Sequence, residues 1–190
     1  MLMVLTRDEA LNLLRTYLRD EKMVKHCIAV EAVMRALARR LGKDEELWGL
    51  IGLLHDVDYD VTNRDLRSHG IKAMEILSNH LPPELLKVIA CHNEETGIEP
   101  ETEEGKEMCI ALRAADQVSG LIVATALVMP SKKIAEIKLS TLKRKYKSKD
   151  FARGVKRERI AAIEKLGIPL DEFLAIALEA MRNIADQLGL

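Results

Sequence analysis

Apolar residues recur at spacings of three and four over most of the chain, which is the pattern of amphipathic helices. The stretch from Met23 to Leu41 shows it most clearly, and Gly42 follows as the kind of residue that ends a helix. Thr6 and Glu9 have the spacing of a capping box, which predicts a helix running to about Asp20. The first quarter of the chain is therefore predicted to be two helices.

Two later segments are apolar on all sides. Residues 47–54 read LWGLIGLL without a charge, which predicts a helix buried nearly all round. Residues 107–129 form another apolar helix or helix pair, interrupted by Arg113, Asp116 and Gln117. These polar residues favour a buried core helix over a membrane span. Further helices are predicted over residues 68–79, 83–92 and 170–188, with loops over 58–67 and 93–105.

The composition supports an all-α fold. Hydrophobic residues make up 48% and charged residues 31% of the 190 residues, which excludes intrinsic disorder. With ten glycines and five prolines the chain has few helix breakers, and aromatic residues make up only 3%. No repeat, low-complexity tract or linker divides the chain, so we expect one domain over residues 1–190. Its apolar stripes could serve an internal core or a homodimer.

The cysteines and the amino terminus bear on location. Cys27, Cys91 and Cys109 are odd in number and far apart in sequence, so we expect no disulfide and a cytoplasmic protein. The first residues lack the pattern of a signal peptide, and we expect no membrane partner.

Charge is unevenly distributed along the chain. Residues 131–160 contain twelve lysines and arginines against three acids, which leaves 17 basic and 27 acidic residues elsewhere. We expect short helices here, broken around Ser148 and Gly154. Such a segment can face an anion, either a phosphorylated substrate or, less favoured, a nucleic acid. It can equally be a solvated helix face.

Several histidines and aspartates occupy apolar surroundings. His26 shares a helix face with Val30, the His55–Asp56 pair ends the uncharged helix, and Asp116 interrupts the long apolar segment. Singly, each could be a hydrogen-bonded core residue, and Asp116 could pair with Arg113. Together, inward histidines and carboxylates from separate helices are typical of a metal site within a helical bundle.

These residues also carry a resemblance to a known family. His26, His55–Asp56 and Asp116 match the H…HD…D signature of the HD-domain metal-dependent phosphohydrolase superfamily over about residues 22–127. The segments HDVDYD, SHG, CHNEE and RAADQVSGLI are similar to HDIG-type hydrolases within it. The resemblance implies an all-α HD bundle that holds its metal among the central helices.

The resemblance also implies a set of ligands. His26, His55, Asp56 and Asp116 would bind a first divalent ion (Mn, Fe, Co, Ni, Zn or Mg), and His69 and His92 occupy suitable places for a second. In the alternative, one ion is bound and His69 serves as an acid or phosphate contact. His69 follows Asp56 by only 13 residues, and His92 stands alone where the HD-GYP phosphodiesterases have a pair.

The expected activity is hydrolysis of a nucleotide or other small phosphorylated metabolite, as a phosphomonoesterase or phosphodiesterase. Asp56 would act at the metal, and Glu95 or its neighbour Glu94 could act as general acid or base. Arg153 beside Phe151 is expected to face the core and bind phosphate. The other candidate phosphate ligands are Lys143, Arg144 and Arg157.

Two other functions fit the same residues. A di-iron oxygenase of the HD fold would use a similar set of histidine and aspartate ligands. A non-catalytic regulator could keep the metal for stability, or bind nucleic acid through residues 131–160.

Overall fold

In a computed structural model, residues 5–190 contain ten α-helices and three short 3-10 helices, and this part of the chain has no β-strand. The all-α prediction is confirmed. The helices are α1 (Arg7–Tyr17), α2 (Glu21–Leu41), α3 (Glu45–Leu54), α4 (Ile71–Leu77), α5 (Pro83–Cys91), α6 (Glu103–Leu127), α7 (Leu139–Lys147), α8 (Arg157–Ala161), α9 (Leu170–Arg182) and α10 (Ala185–Leu188).

Local capping chemistry sets the ends of the helices. The Thr6 hydroxyl accepts from the backbone N–H of Glu9, whose carboxylate accepts from the N–H of Thr6 at 2.8 Å, so the predicted capping box is present. Gly42 ends α2 in the left-handed conformation, with φ 67°. α4 is shorter than predicted, and the last predicted helix is divided near Ile184 into α9 and α10.

The core forms where α2 packs against α3, α6 and α9. α2 and α3 approach closely because α3 carries glycine where the helices meet. A Cβ atom on Gly52 would lie 3.0 Å from the Cα of Glu31 and the carbonyl oxygen of Val30. The contact therefore requires glycine, and it brings the end of α3 beside α2.

α6 is the long apolar helix predicted from the sequence. By length and composition it could cross a membrane, with a mean hydropathy of 1.4, but 56% of its most apolar window is buried inside the fold. It packs against α2, α5, α8 and α9. This packing is that of the core helix predicted for the segment.

The basic segment is organised around Arg157. Its guanidinium donates to the backbone carbonyls of six residues, which lie in the last turns of α7 and in the loop that follows. These residues are Lys145, Tyr146, Ser148, Phe151, Ala152 and Val155. Because every N–H of Arg157 has a carbonyl partner, this side chain holds the loop and has no donor left for a phosphate.

The prediction of no disulfide was wrong. Cys91 at the end of α5 and Cys109 in the second turn of α6 are bonded, with their Cα atoms 6.3 Å apart. The sequence separation of 18 residues hid this pairing, because the intervening loop folds α5 back against α6. Cys27 is free and buried. The cytoplasmic location stays a prediction, and the cysteine count no longer supports it.

Breaking this disulfide is expected to destabilise the protein. The substitution Cys109→Ser should lower the free energy of unfolding by roughly 3 kcal/mol, the effect of releasing a loop of this length in the unfolded chain. Urea unfolding with and without reductant measures this, and reduction should bring the wild type close to the variant.

Alkylation under denaturing conditions provides an independent check. Without reductant, mass spectrometry should find one labelled cysteine, Cys27, and three after reduction. Three labelled cysteines before reduction would contradict the disulfide.

Candidate metal centre

Four of the five histidines converge on two aspartates near the centre of the bundle. These histidines and aspartates come from α2, from the ends of α3 and α5, from the loop before α4 and from α6. The residues that meet are His26, His55, Asp56, His69, His92 and Asp116, the full set of ligands that the resemblance implied. The fifth histidine, His80, is not in the cluster.

Two of the six side chains of the cluster lie where helices end. His55 is the C-cap residue of α3 and His92 that of α5, so each ring follows an apolar helix into the interior. His69 precedes Gly70, whose φ of 91° is unfavourable for other residues and whose Cβ position would lie 3.2 Å from the Cα of Ala90. Glycine therefore lets the chain carrying His69 lie directly against α5.

One group of ligand atoms surrounds Asp116. His26 Nε2 lies 3.0 Å from Asp116 Oδ1, and His55 Nε2 lies 4.0 Å from the same oxygen. Oδ2 of Asp56 faces this group, 3.3 Å from His55 Nε2 and 3.7 Å from His26 Nε2. The alternative pairing of Asp116 with Arg113 is absent, since Arg113 donates to the carbonyl of Cys91 instead.

A second group faces the other oxygen of Asp56. Oδ1 lies 3.2 Å from His69 Nε2 and 3.3 Å from His92 Nε2. The two imidazole nitrogens are 2.9 Å from each other. Asp56 thus stands between two groups of ligand atoms, with one oxygen turned toward each.

Hydrogen bonds on the far side of the rings fix their orientation. Nδ1 of His55 donates to the carbonyl of Gly52 at 2.8 Å, and Nδ1 of His92 donates to that of Ile89. In the neutral rings, each Nε2 then presents a lone pair to the centre. His55 Nε2 is buried and makes no hydrogen bond within residues 5–190. Buried lone pairs converging in this way fit a bound divalent cation.

Electrostatics favour positive charge at the centre. Burial opposes protonation of His55, but Asp56, Asp116 and the hydrogen bond to the Gly52 carbonyl together raise the pKa of His55 to about 9. In the same way, Asp56 and Asp58 overcome burial and raise the pKa of His69 to about 10. Burial opposes ionisation of Asp116, yet its hydrogen bond with His26 lowers the pKa of Asp116 to about 2. The carboxylates therefore remain charged and attract either protons or a metal ion.

Asp58 supports His69 from behind and was not predicted. Its side chain is fully buried, and Oδ1 accepts from His69 Nδ1 at 2.8 Å. Oδ2 accepts from the backbone N–H groups of Gly70 at 2.7 Å and Ala73 at 2.9 Å. The signal in the sequence is the HDVDYD segment, where Asp58 follows the apolar Val57, although the polar composition of residues 58–67 predicts a loop.

The centre opens to solvent through a cleft of about 270 Å³. Its wall includes Arg159, a second residue that was not predicted, whose Nη2 donates to Glu94 at 2.7 Å. Gln117 bridges two elements here: its amide donates to Asp116 Oδ2 at 2.7 Å and accepts from the backbone N–H of Lys156 at 2.8 Å. The start of α8 is thereby attached to a residue of the centre.

A family model described as HD domain matches residues 23–121, which is just over half of the chain. The chain belongs to the HD-domain family. The members of this superfamily are mostly metal-dependent hydrolases, and the cluster of histidines and aspartates is compatible with divalent metal binding. No curated protein and no solved structure matches the chain.

The HD centre does not include the cations that we expected to contact phosphate. The expectation that Arg153 faces the core was wrong: its side chain is 79% exposed and pairs with Asp150, because the loop that carries it wraps around Arg157. Lys143 pairs with Asp171 at 2.6 Å. Arg144 is exposed and, like these residues and Arg157, does not line the cleft.

The acidic candidates are also placed differently. Glu95 is exposed and does not line the cleft, so the structure gives it no contact with the HD centre. Its neighbour Glu94 pairs with Arg159. Glu94 therefore contributes by orienting a cation at the cleft.

Loss of the shared carboxylate should abolish metal binding. We expect Asp56→Ala to lose the divalent metal that the wild type retains after dialysis, since Asp56 faces both groups of ligand atoms. Elemental analysis of the purified proteins measures this. His80→Ala is the matched control and should keep the wild-type content. Equal metal in Asp56→Ala and wild type would contradict the site.

Asp58 should tune metal affinity without binding the ion. We expect Asp58→Asn to weaken affinity by about 10- to 100-fold, because the amide holds the His69 ring less firmly and lowers its basicity. Titration of the metal-free protein by calorimetry gives the affinities. Asp171→Asn, an exposed aspartate far along the chain, is the control. Unchanged affinity in Asp58→Asn would contradict this role.

Proposed function

We propose that this HD-domain protein is a phosphohydrolase with two divalent ions, acting on a nucleotide or other small phosphorylated metabolite. The observation that supports it best is the position of Asp56, whose two oxygens face two separate groups of ligands. His26, His55 and Asp116 would hold one ion, and His69 and His92 the other. Asp56 would be shared between them.

The ions, when bound, would lower the pKa of water and polarise the phosphoryl oxygens. The protein's own contribution is to hold the ligands rigidly. The Nδ1 hydrogen bonds and the buried Asp58 fix the rings, so that little reorganisation is needed when a charged substrate arrives. The negative charge of Asp56, Asp58 and Asp116 raises the pKa values of His55 and His69. Divalent ions would offset this charge at the centre and allow an anionic phosphate to approach.

Arg159 replaces the earlier candidates as the proposed phosphate contact. Its side chain is only 13% exposed, it lines the cleft, and its Nε is buried without a hydrogen-bond partner within residues 5–190. Glu94 occupies Nη2, which leaves other N–H groups available for an anion. A guanidinium held in this way suits the phosphoryl oxygens of a monoester or diester.

The size of the cleft favours a small substrate. A volume of about 270 Å³ is just below the usual range for small-molecule sites, about 300–1,000 Å³. Of the twelve lysines and arginines in residues 131–160, only Arg159 lines it. A small phosphorylated molecule is therefore the proposed partner, in preference to a nucleic acid, and we propose no membrane partner.

The first test is a screen of metal-loaded protein against phosphomonoesters and phosphodiesters. We expect hydrolysis with at least one of Mn, Fe, Co, Ni, Zn or Mg, at about two ions per chain. His26→Ala and His92→Ala should each reduce the ion content by about one. Consumption of O₂ by the iron form without phosphate release would instead favour the oxygenase, and metal binding with neither activity a regulator.

Substitution of Arg159 tests the phosphate contact. We expect Arg159→Gln to lower kcat/KM by about 10- to 100-fold, the usual effect of losing a hydrogen bond to a charged group, with partial recovery in Arg159→Lys. Metal content should not change. Arg153→Gln is the matched control on the same segment and should stay within about two-fold of wild type. Equal losses in both variants would contradict the assignment.

A further inference from the structure

An exposed leucine lines the cleft of the metal centre. Five large hydrophobic side chains are exposed within residues 5–190, and Leu66, at 57%, is the one that lines this cleft. Isolated exposed leucines are ordinary on protein surfaces. The position of Leu66 is distinctive because its backbone is attached to the centre itself.

Asn93 makes this attachment. It is buried, directly follows the ligand His92, and its Nδ2 donates to the carbonyl of Leu66 at 2.6 Å and to that of His69 at 2.9 Å. One side chain thus fixes the leucine relative to two metal ligands. Leu66 is held at the cleft by the same residues that build it.

The rest of the loop is fixed as well. Asp60 Oδ2 accepts from the backbone N–H of Arg19 at 2.8 Å, which ties the loop to the start of α2. Asn63 and Arg64 have φ values of 50° and 63°, a conformation that non-glycine residues rarely adopt. Strained backbone held by surrounding contacts is frequent at binding sites. A loop held by these contacts therefore presents an apolar side chain to solvent beside the HD centre.

Two other residues extend this apolar surface. Met23 and Tyr59 line the same cleft and are half-buried. Arg159 supplies a cation in the same lining. A ligand that uses the whole cleft would therefore carry an anionic end and an apolar end.

We propose that the cleft selects phosphate esters whose alcohol carries an apolar or aromatic group, with the phosphate at the centre and Arg159, and the apolar group against Leu66. This inference rests on the proposed function and names its substrate class. Its physical basis is that an exposed leucine gains by losing water contact only when the ligand offers apolar surface. An alcohol with only polar groups gains nothing there.

The test compares benzyl phosphate with ethyl phosphate, whose alcohol leaving groups have similar reactivity. We expect the wild type to favour benzyl phosphate in kcat/KM by about ten-fold or more, as expected for burying a ring against a leucine. Leu66→Ser should remove most of this preference by slowing benzyl phosphate, with ethyl phosphate changed by less than about two-fold.

Leu127→Ser is the matched control. Leu127 is 52% exposed, at the far end of α6, and does not line the cleft. It should keep the wild-type preference. Equal rates for the two esters in the wild type, or an equal fall for both esters in Leu66→Ser, would overturn the proposal.

A binding measurement separates this inference from the proposed function. Benzylphosphonate and ethylphosphonate have a P–C bond in place of the ester P–O bond, so they cannot be hydrolysed there. Calorimetry with the metal-loaded protein gives their affinities. A preference for benzylphosphonate that Leu66→Ser removes would support the inference even if no ester were hydrolysed, in which case the hydrolase proposal fails. Hydrolysis of esters with no preference in binding or rate would overturn the inference alone.

Discussion

The structure depends on one buried carboxylate shared between two groups of imidazoles. Asp56 is surrounded by His55, His69 and His92, and burial alone would oppose its charge. These histidines hold the pKa of Asp56 well below its usual value, so it remains ionised in the interior. A buried charge is tolerated only where partners compensate it, and here the partners are the histidines of the centre. The histidines that would bind a metal ion therefore also stabilise the charged form of Asp56.

The helical framework meets this condition by holding the rings of the centre close together. α2 and α3 come close enough at Gly52 to set the doublet His55–Asp56 beside His26, and Gly70 allows the chain at His69 to lie against α5. Backbone carbonyl groups of the helices then accept hydrogen bonds from Nδ1 of His55 and of His92. The packing of the core and the geometry of the centre are consequently one problem, and a mutation that separates α2 from α3 would disturb both.

How much the sequence predicted follows from the range of the interactions involved. The helices and the meeting of six histidines and aspartates were predictable, because their patterns are local or repeat a family signature. Arg159 and the pair Cys91–Cys109 were not, since each depends on how distant segments fold together. The orientation of Arg153 was wrong for a related reason: the neighbouring Arg157 collects the carbonyls of the loop and turns Arg153 outward. The sequence alone does not distinguish an exposed arginine from one whose N–H groups are all bonded to backbone carbonyls.

The amide of Gln117 has a consequence for where the functional unit ends. The match to the HD family ends at residue 121. The backbone N–H of Lys156, however, donates to the amide oxygen of Gln117, and this contact orients the amide nitrogen of Gln117 toward Asp116. A residue outside the matched segment thus helps to fix the position of Asp116 Oδ2, while Asp116 Oδ1 faces the histidines of the centre. The six residues of the centre all lie within the matched segment, whereas the contacts that support them extend at least to Lys156.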